Sequence, residues 1–362
     1  MDQDQTSRGG RPADPRSKAV ALARVNRGRR VLRSAASARV ALAAALGAAG
    51  GLAVATSGAA PAFARPLVRL VTSPADSARL LADAASVAPA TTAAGDAVVL
   101  DDTLAGRSGK LRARFVAPSR SLTFPFLRRL LGDTTAVASP GVFEVPRANA
   151  GPFAFITMRA FGDKVGGRIG GYRIGFWPAE RGRHRGGKYE NPEGFIEVTP
   201  DNQHTPVSEH FRLADFLTHD QQTVWPKYLV LNESLVDKLE LVIQELRRQG
   251  HDVKRMHVMS GFRTPQYNES GGETSGRAGM SRHQYGDAAD VWVENGAGRM
   301  ADLNGDGRVD ARDAAIVAAA AERVERAHPE LVGGVGIYRS TRSHGPFVHI
   351  DTRGYRARWG AG

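Results

Sequence analysis

His283 and Asp290 stand seven residues apart with Gly286, Ala288 and Ala289 between them, and His349 follows much later inside the apolar run Phe347-Val348-His349-Ile350-Asp351. A fold that uses all three must close a long connection to bring them together. Two imidazoles and one carboxylate, with a fourth position open, is the ligand count of a hydrolytic zinc centre. Small residues suit the first segment, because Gly286 permits a sharp turn and the alanines let backbone pack closely while His283 and Asp290 point at one ion. The pair reads as a loop. Around His349 the run is strand-like, so residues two apart share a face and Asp351 falls on the same side, roughly 6–7 Å away. The chain has no cysteine, which excludes disulfides and thiolate sites and leaves nitrogen and oxygen ligands for any metal.

The flanking residues are equally patterned. Ser281-x-His283-x-x-Gly286-x-Ala288-x-Asp290 is preceded by Ser260-Gly261-Phe262-Arg263-Thr264-Pro265-x-Tyr267-Asn268 and followed by Gly336-x-Tyr338 and the His349 run. In this order the motifs resemble the zinc D-Ala-D-Ala carboxypeptidase and murein endopeptidase family M15, and within it the YcbK-like (DUF882) branch. The resemblance covers roughly residues 208–359. It implies an α+β fold, an M15-type zinc peptidase domain with a small antiparallel sheet and flanking helices. It also implies His283, Asp290 and His349 as zinc ligands and Arg263 as the cation that meets a substrate carboxylate, a task for which a planar two-pronged guanidinium is suited. The carboxypeptidases usually carry an acid three residues before the last ligand as general base; here that position is Pro346. Asp351 and His344 are then the local candidates, with Asp351 placed first, although it could instead only orient a ligand imidazole.

A second ion site is written in the twelve residues Asp302 to Asp313. Asp302, Asn304, Asp306, Asp310 and Asp313 occupy the oxygen-ligand positions of a calcium loop, the Arg308 backbone carbonyl takes position 7, Gly307 supplies the turn and Val309 the apolar position. Aspartate rather than glutamate at the last position shortens the reach of that carboxylate and leaves the choice of calcium or magnesium open. Lying between the second and third zinc ligands, a bound calcium would have a structural role, fixing a connection that is otherwise costly to order.

The net charge of +12 invites a nucleic-acid reading until its location is checked. Residues 1–64 alone carry ten Lys and Arg against three acids, so more than half of the excess belongs to the leader. Its Arg-rich start, the weakly apolar run from Val40 and Ala62-Phe63-Ala64 read as an export signal, with Arg29-Arg30 resembling a twin-arginine type. Residues 65–95 read as a flexible linker, and 96–200 as a β-rich module built from short runs such as Leu111–Phe115, Phe153–Thr157 and Tyr172–Phe176. Phe126–Leu131 fits a helical turn or a strand. The peptidase domain spans 201–362 with the calcium loop 302–313 inserted, and helices are expected over Glu233–Gln249 and Ala311–Ala327. Strands are expected over Met256–Ser260 and Pro346–Ile350, with a basic tail from Arg353 to Trp359. The Arg181–Lys188 loop is basic but lacks interleaved aromatics, so no nucleic acid is expected.

Together these features describe an exported zinc metallopeptidase, periplasmic or elsewhere in the cell envelope, that hydrolyses peptidoglycan stem peptides or cross-links by metal-activated water. Zinc is the catalytic cofactor, calcium the structural one and peptidoglycan the partner, with a membrane contact only through an uncleaved leader. The alternative is a catalytically silent cell-wall-binding or scaffold protein that keeps the zinc fold without an effective base.

Overall fold

The computed structural model describes residues 102–118, 139–147, 150–271 and 277–360, all within one compact unit, Phe63–Gly362. The leader, the 65–95 segment, Val98–Leu100 and Phe126–Leu131 lie outside the described residues. The architecture is mixed α+β, with small sheets and few helices.

Strands β1 (Ala113–Val116), β2 (Gly141–Arg147) and β3 (Ala150–Thr157) form a sheet in the order β1-β3-β2. The sheet is mixed, because β1 runs parallel to β3 while β2 runs antiparallel to it. Two short strands, β4 (Arg159–Ala160) and then β5 (Arg168–Ile169), precede β6 (Tyr172–Arg173), which pairs with β5. The Tyr172–Phe176 run is thus a strand for two residues only. β7 (Gly194–Val198) joins β4 to β8 (Lys227–Leu229).

Helix α1 (Glu233–Arg248) starts where Asn232 accepts the Ser234 N–H at 2.9 Å, and it buries Leu235, Leu239, Val242 and Leu246 at helical spacing. It is followed by β9 (Arg255–Ser260), the short α2 (Pro265–Ser270) and β10 (Ala288–Glu294). Helix α3 (Ala311–Ala327) begins with a reciprocal cap: Asp310 accepts the Arg312 N–H and Asp313 accepts the Asp310 N–H. Its alanines let it lie close on β11 (Gly334–Tyr338) and β12 (Phe347–Asp351), and α1 packs against it. With β13 (Ala357–Gly360) these strands make a five-stranded sheet in the order β13-β11-β12-β10-β9, antiparallel except for β11 with β13.

The apolar residues of both halves form one core. Phe115, Ile156, Trp177 and Phe195 belong to the same buried cluster as Phe216, Leu229, Leu239, Val291 and Ile350. No helix among the described residues is long and apolar enough to cross a membrane.

One buried charge is set into this core. Lys238 on α1 has no exposed surface, and its Nζ donates to Glu325 Oε1 on α3 and to the Asp351 carbonyl at the end of β12, each at 2.7 Å. Glu325 also accepts from the Gly333 N–H at 3.0 Å and from Arg358 on β13. Burial lowers the Lys238 pKa, and its acidic partner opposes that. Removing one member of such a pair strands the other, so Lys238→Met should cost about 3 kcal/mol of folding stability, the lower end of the usual range because Arg358 remains beside Glu325. Urea unfolding checks this.

Candidate metal centre

A single row of paired residues crosses the five-stranded sheet. Trp359 on β13 pairs with Gly336 on β11, Gly336 with His349 on β12, His349 with Asp290 on β10, and Asp290 with Ser260 on β9. Paired residues share a face, so two of the three expected ligands are neighbours because of strand register alone. The His283–Asp290 segment is not one loop, as its spacing suggests: Asp290 is inside a strand, and only His283 lies in a turn, Arg282–Tyr285.

That turn is held on every side. Gly286 closes it at φ +68°, and a Cβ there would come within 2.3 Å of the Val230 carbonyl oxygen, which explains the glycine. Arg282 grips Asp287 with two bonds of 2.9 and 2.6 Å, donates to the Lys188 carbonyl, and has its guanidinium within 4.4 and 4.6 Å of the Tyr189 and Tyr285 ring centres. Trp177 Nε1 donates to the Gln284 carbonyl at 2.8 Å. Residues of the 96–200 segment therefore help fix the loop that carries His283.

The three side chains converge in a buried site. His349 Nδ1 lies 2.9 Å from Asp290 Oδ1 and 3.2 Å from His283 Nε2, and His283 Nε2 lies 3.3 Å from the same Asp290 oxygen. Among the described residues this is the one group of three or more acidic or imidazole side chains close enough to hold an ion. The outer nitrogens fix the tautomers. His283 Nδ1 donates to the Gly261 carbonyl at 2.7 Å, and His349 Nε2 donates to Asp351 Oδ2 at 3.0 Å. His283 thereby turns a lone pair inward, while His349, with a carboxylate at each nitrogen, can hold either a proton or a metal at Nδ1. Three acceptors facing one another need a cation between them.

Bonds of about 2.0–2.1 Å in a tetrahedron, as zinc would make, require donor–donor edges of roughly 3.3–3.4 Å. Two of the observed edges, 3.2 and 3.3 Å, are near that length and the third, 2.9 Å, is shorter. The electrostatics agree with a cation site. Burial lowers the His283 pKa; it would lower that of His349 too, but hydrogen bonds to Asp290 and Asp351 raise His349 to about 8. Burial would lift the Asp290 carboxyl, yet the two imidazoles hold it well below the usual range. Without a metal, a proton on His349 is the cation the cluster keeps.

Asp351 sits behind His349, on the nitrogen turned away from the cluster. Fully buried, it accepts from the Arg353 guanidinium and from the Gly334 N–H at 2.7 Å, and these partners with His349 hold it far below the ordinary carboxylate range against the opposing effect of burial. It orients the ring. Asp351→Asn should weaken zinc affinity about 10- to 100-fold while leaving one ion bound at saturation, read by competition with a chromogenic chelator.

Arg263 lies beside the cluster rather than out in the solvent. Its Nε donates to Ser260 Oγ at 2.8 Å and its Nη2 to the outer Asp290 oxygen at 2.5 Å, which leaves Nη1 to meet a further acceptor. His344 lies in the loop before β12, where its Nδ1 donates to the Gly345 carbonyl at 2.8 Å and its ring meets the Phe347 ring edge-on at 4.9 Å. Pro346, buried between them, offers no acid.

The 302–313 segment is a network of turns. Asp302 accepts the Gly305 and Gly307 N–H groups, Asn304 that of Asp306, Asp306 that of Arg308, and Asp313 those of Leu303 and Asp310. Arg312 bridges Asp306 and Asp310 at 2.9 Å each. The loop oxygens are thus shared among backbone amides and this guanidinium.

Sequence reasoning missed Trp359, whose ring centre lies 5.0 Å from that of His349, because the tail that carries it reads as basic rather than as a strand. No protein-family model and no curated protein matches the chain.

Proposed function

We propose that this chain is an exported zinc peptidase of the M15 type that hydrolyses peptide bonds of peptidoglycan, its five-stranded sheet and helices forming the peptidase domain and its 113–198 strands a β-rich module. One observation carries the reading: three acceptor atoms converge at zinc-like spacing in a buried site whose outer nitrogens are already committed to Gly261 and Asp351. The motif order around Arg263, His283, Asp290 and His349 supplies the substrate class.

His283 Nε2, Asp290 Oδ1 and His349 Nδ1 would hold the ion. When bound, zinc supplies Lewis acidity toward a carbonyl and makes water acidic near neutral pH. Arg263 Nη1 would orient a substrate carboxylate while its Nη2 steadies Asp290 and its Nε is held by Ser260. Since Asp351 faces away, we assign the proton acceptor to His344, whose Nδ1–H is committed to Gly345 and whose Nε2 keeps a lone pair. A silent wall-binding protein is the second reading, and Pro346 in place of an acid is the observation that favours it.

Zinc-loaded protein incubated with peptidoglycan should release fragments that His283→Ala does not, with their masses separating carboxypeptidase from endopeptidase cleavage. Identical products from both proteins would leave the silent reading.

The 302–313 loop enters the same proposal as a structural calcium site, filled when Arg312 releases Asp306 and Asp310. Calcium should then raise the melting temperature by a few degrees, and Asp302→Ala should remove that increase in a thermal scan.

A further inference from the structure

The site row continues past His349 into aromatic surface. Gly336 has no side chain, and a Cβ there would lie 2.3 Å from Trp359 Nε1, so the indole lies across the glycine and reaches the His349 ring. Two residues along β11, Tyr338 stacks on Phe347 with centres 4.4 Å apart and planes 6° from parallel. Trp359 Nε1 donates to Tyr338 Oη at 2.9 Å, joining the rings into one wall. Yet Trp359 keeps 36% and Tyr338 38% of its surface exposed, while Phe347 beneath is buried. Large aromatic surface left open next to a buried polar centre marks a recognition site.

We propose that Trp359 and Tyr338 form a saccharide-stacking subsite that takes the neutral, C–H-rich face of a pyranose ring of a glycan strand. The inference rests on the reading of peptidoglycan as the substrate. Three features select that occupant. The indole N–H is already bonded to Tyr338, so what the wall offers is chiefly ring surface rather than hydrogen-bond donors. The Arg353 guanidinium lies 5.3 Å from the indole centre, and Arg339 and Arg342 stand exposed in the adjacent loop, so a cationic ligand such as a diamino-acid ammonium is repelled. Peptidoglycan stem peptides carry no aromatic side chains to stack, whereas each sugar of the glycan presents an apolar face. The subsite lies at the rim of the metal centre, as a glycan would if its attached peptide were to enter.

Glycan strands stripped of their peptides by an amidase are the probe, titrated calorimetrically into the zinc-loaded full chain. Wild-type protein should bind them, Trp359→Ala should weaken binding at least tenfold, and Tyr338→Ala should weaken it several-fold without touching His349. Zinc content is measured for each variant, and Trp359→Phe should recover part of the affinity. No binding by wild-type protein, unchanged affinity in both alanine variants, or tighter binding to oligolysine than to glycan overturns the proposal. The readout needs no catalysis. Glycan binding that depends on Trp359 in a protein that cleaves nothing would uphold the subsite and sink the peptidase reading, and cleavage without glycan binding would do the reverse.

Discussion

His349→Ala should empty the metal centre: bound zinc falls from about one ion per chain to near zero, and release of peptide from peptidoglycan falls to that of a protein-free blank. The effect is large because His349 is both a ligand and the link between Asp290 and Asp351, which touch its two nitrogens at 2.9 and 3.0 Å. Two donors that remain cannot hold zinc against buffer chelators. The fold should survive the change, because Asp351 stays paired with Arg353 and Asp290 with Arg263. Circular dichroism separates loss of metal from loss of structure. A variant that keeps stoichiometric zinc would remove His349 from the ligand set.

His344→Ala should lower kcat by about 10²- to 10⁴-fold with zinc content unchanged, the magnitude expected when a positioned proton acceptor is removed. Burial of the other candidate is what favours His344. Asp351 is fully buried behind the ring and saturated by Arg353, Gly334 and His349, so it has no path to a reacting water. His344 is only partly buried and leans on Phe347, two residues before His349 on the same face of β12. A loss of zinc in this variant would instead give His344 a structural part. Unchanged turnover would leave the centre without an acceptor among the residues considered and would favour the silent reading.

Local signals in the sequence were readable where they were strong. The apolar spacing of Leu235, Leu239, Val242 and Leu246 defines α1 to within a residue of its end, and the Asp310 cap with Pro329 beyond it marks α3 from Ala311 to Ala327. Strand β12 was legible from its apolar run. What failed was pairing across long separations. Asp290 looks like a loop residue because Gly286 and two alanines precede it, yet those alanines are the first residues of β10 and are buried there. The parallel pairing of the last strand with β11 depends on residues more than twenty positions apart, and nothing in Ala357-Arg358-Trp359 announces it. The role of Asp351 was open for the same reason, since the face presented by each His349 nitrogen is set by the partner strand.

In the proposed centre His283, Asp290 and His349 hold zinc with one position left for chemistry. X-ray absorption at the zinc edge of metal-loaded protein tests it most directly. The prediction is a four-coordinate shell of nitrogen and oxygen donors at about 2.0–2.1 Å, with scattering from two imidazoles and one donor that exchanges when a hydroxamate is added. A six-coordinate shell without imidazole scattering, or a shell that His283→Ala leaves unchanged, would contradict it.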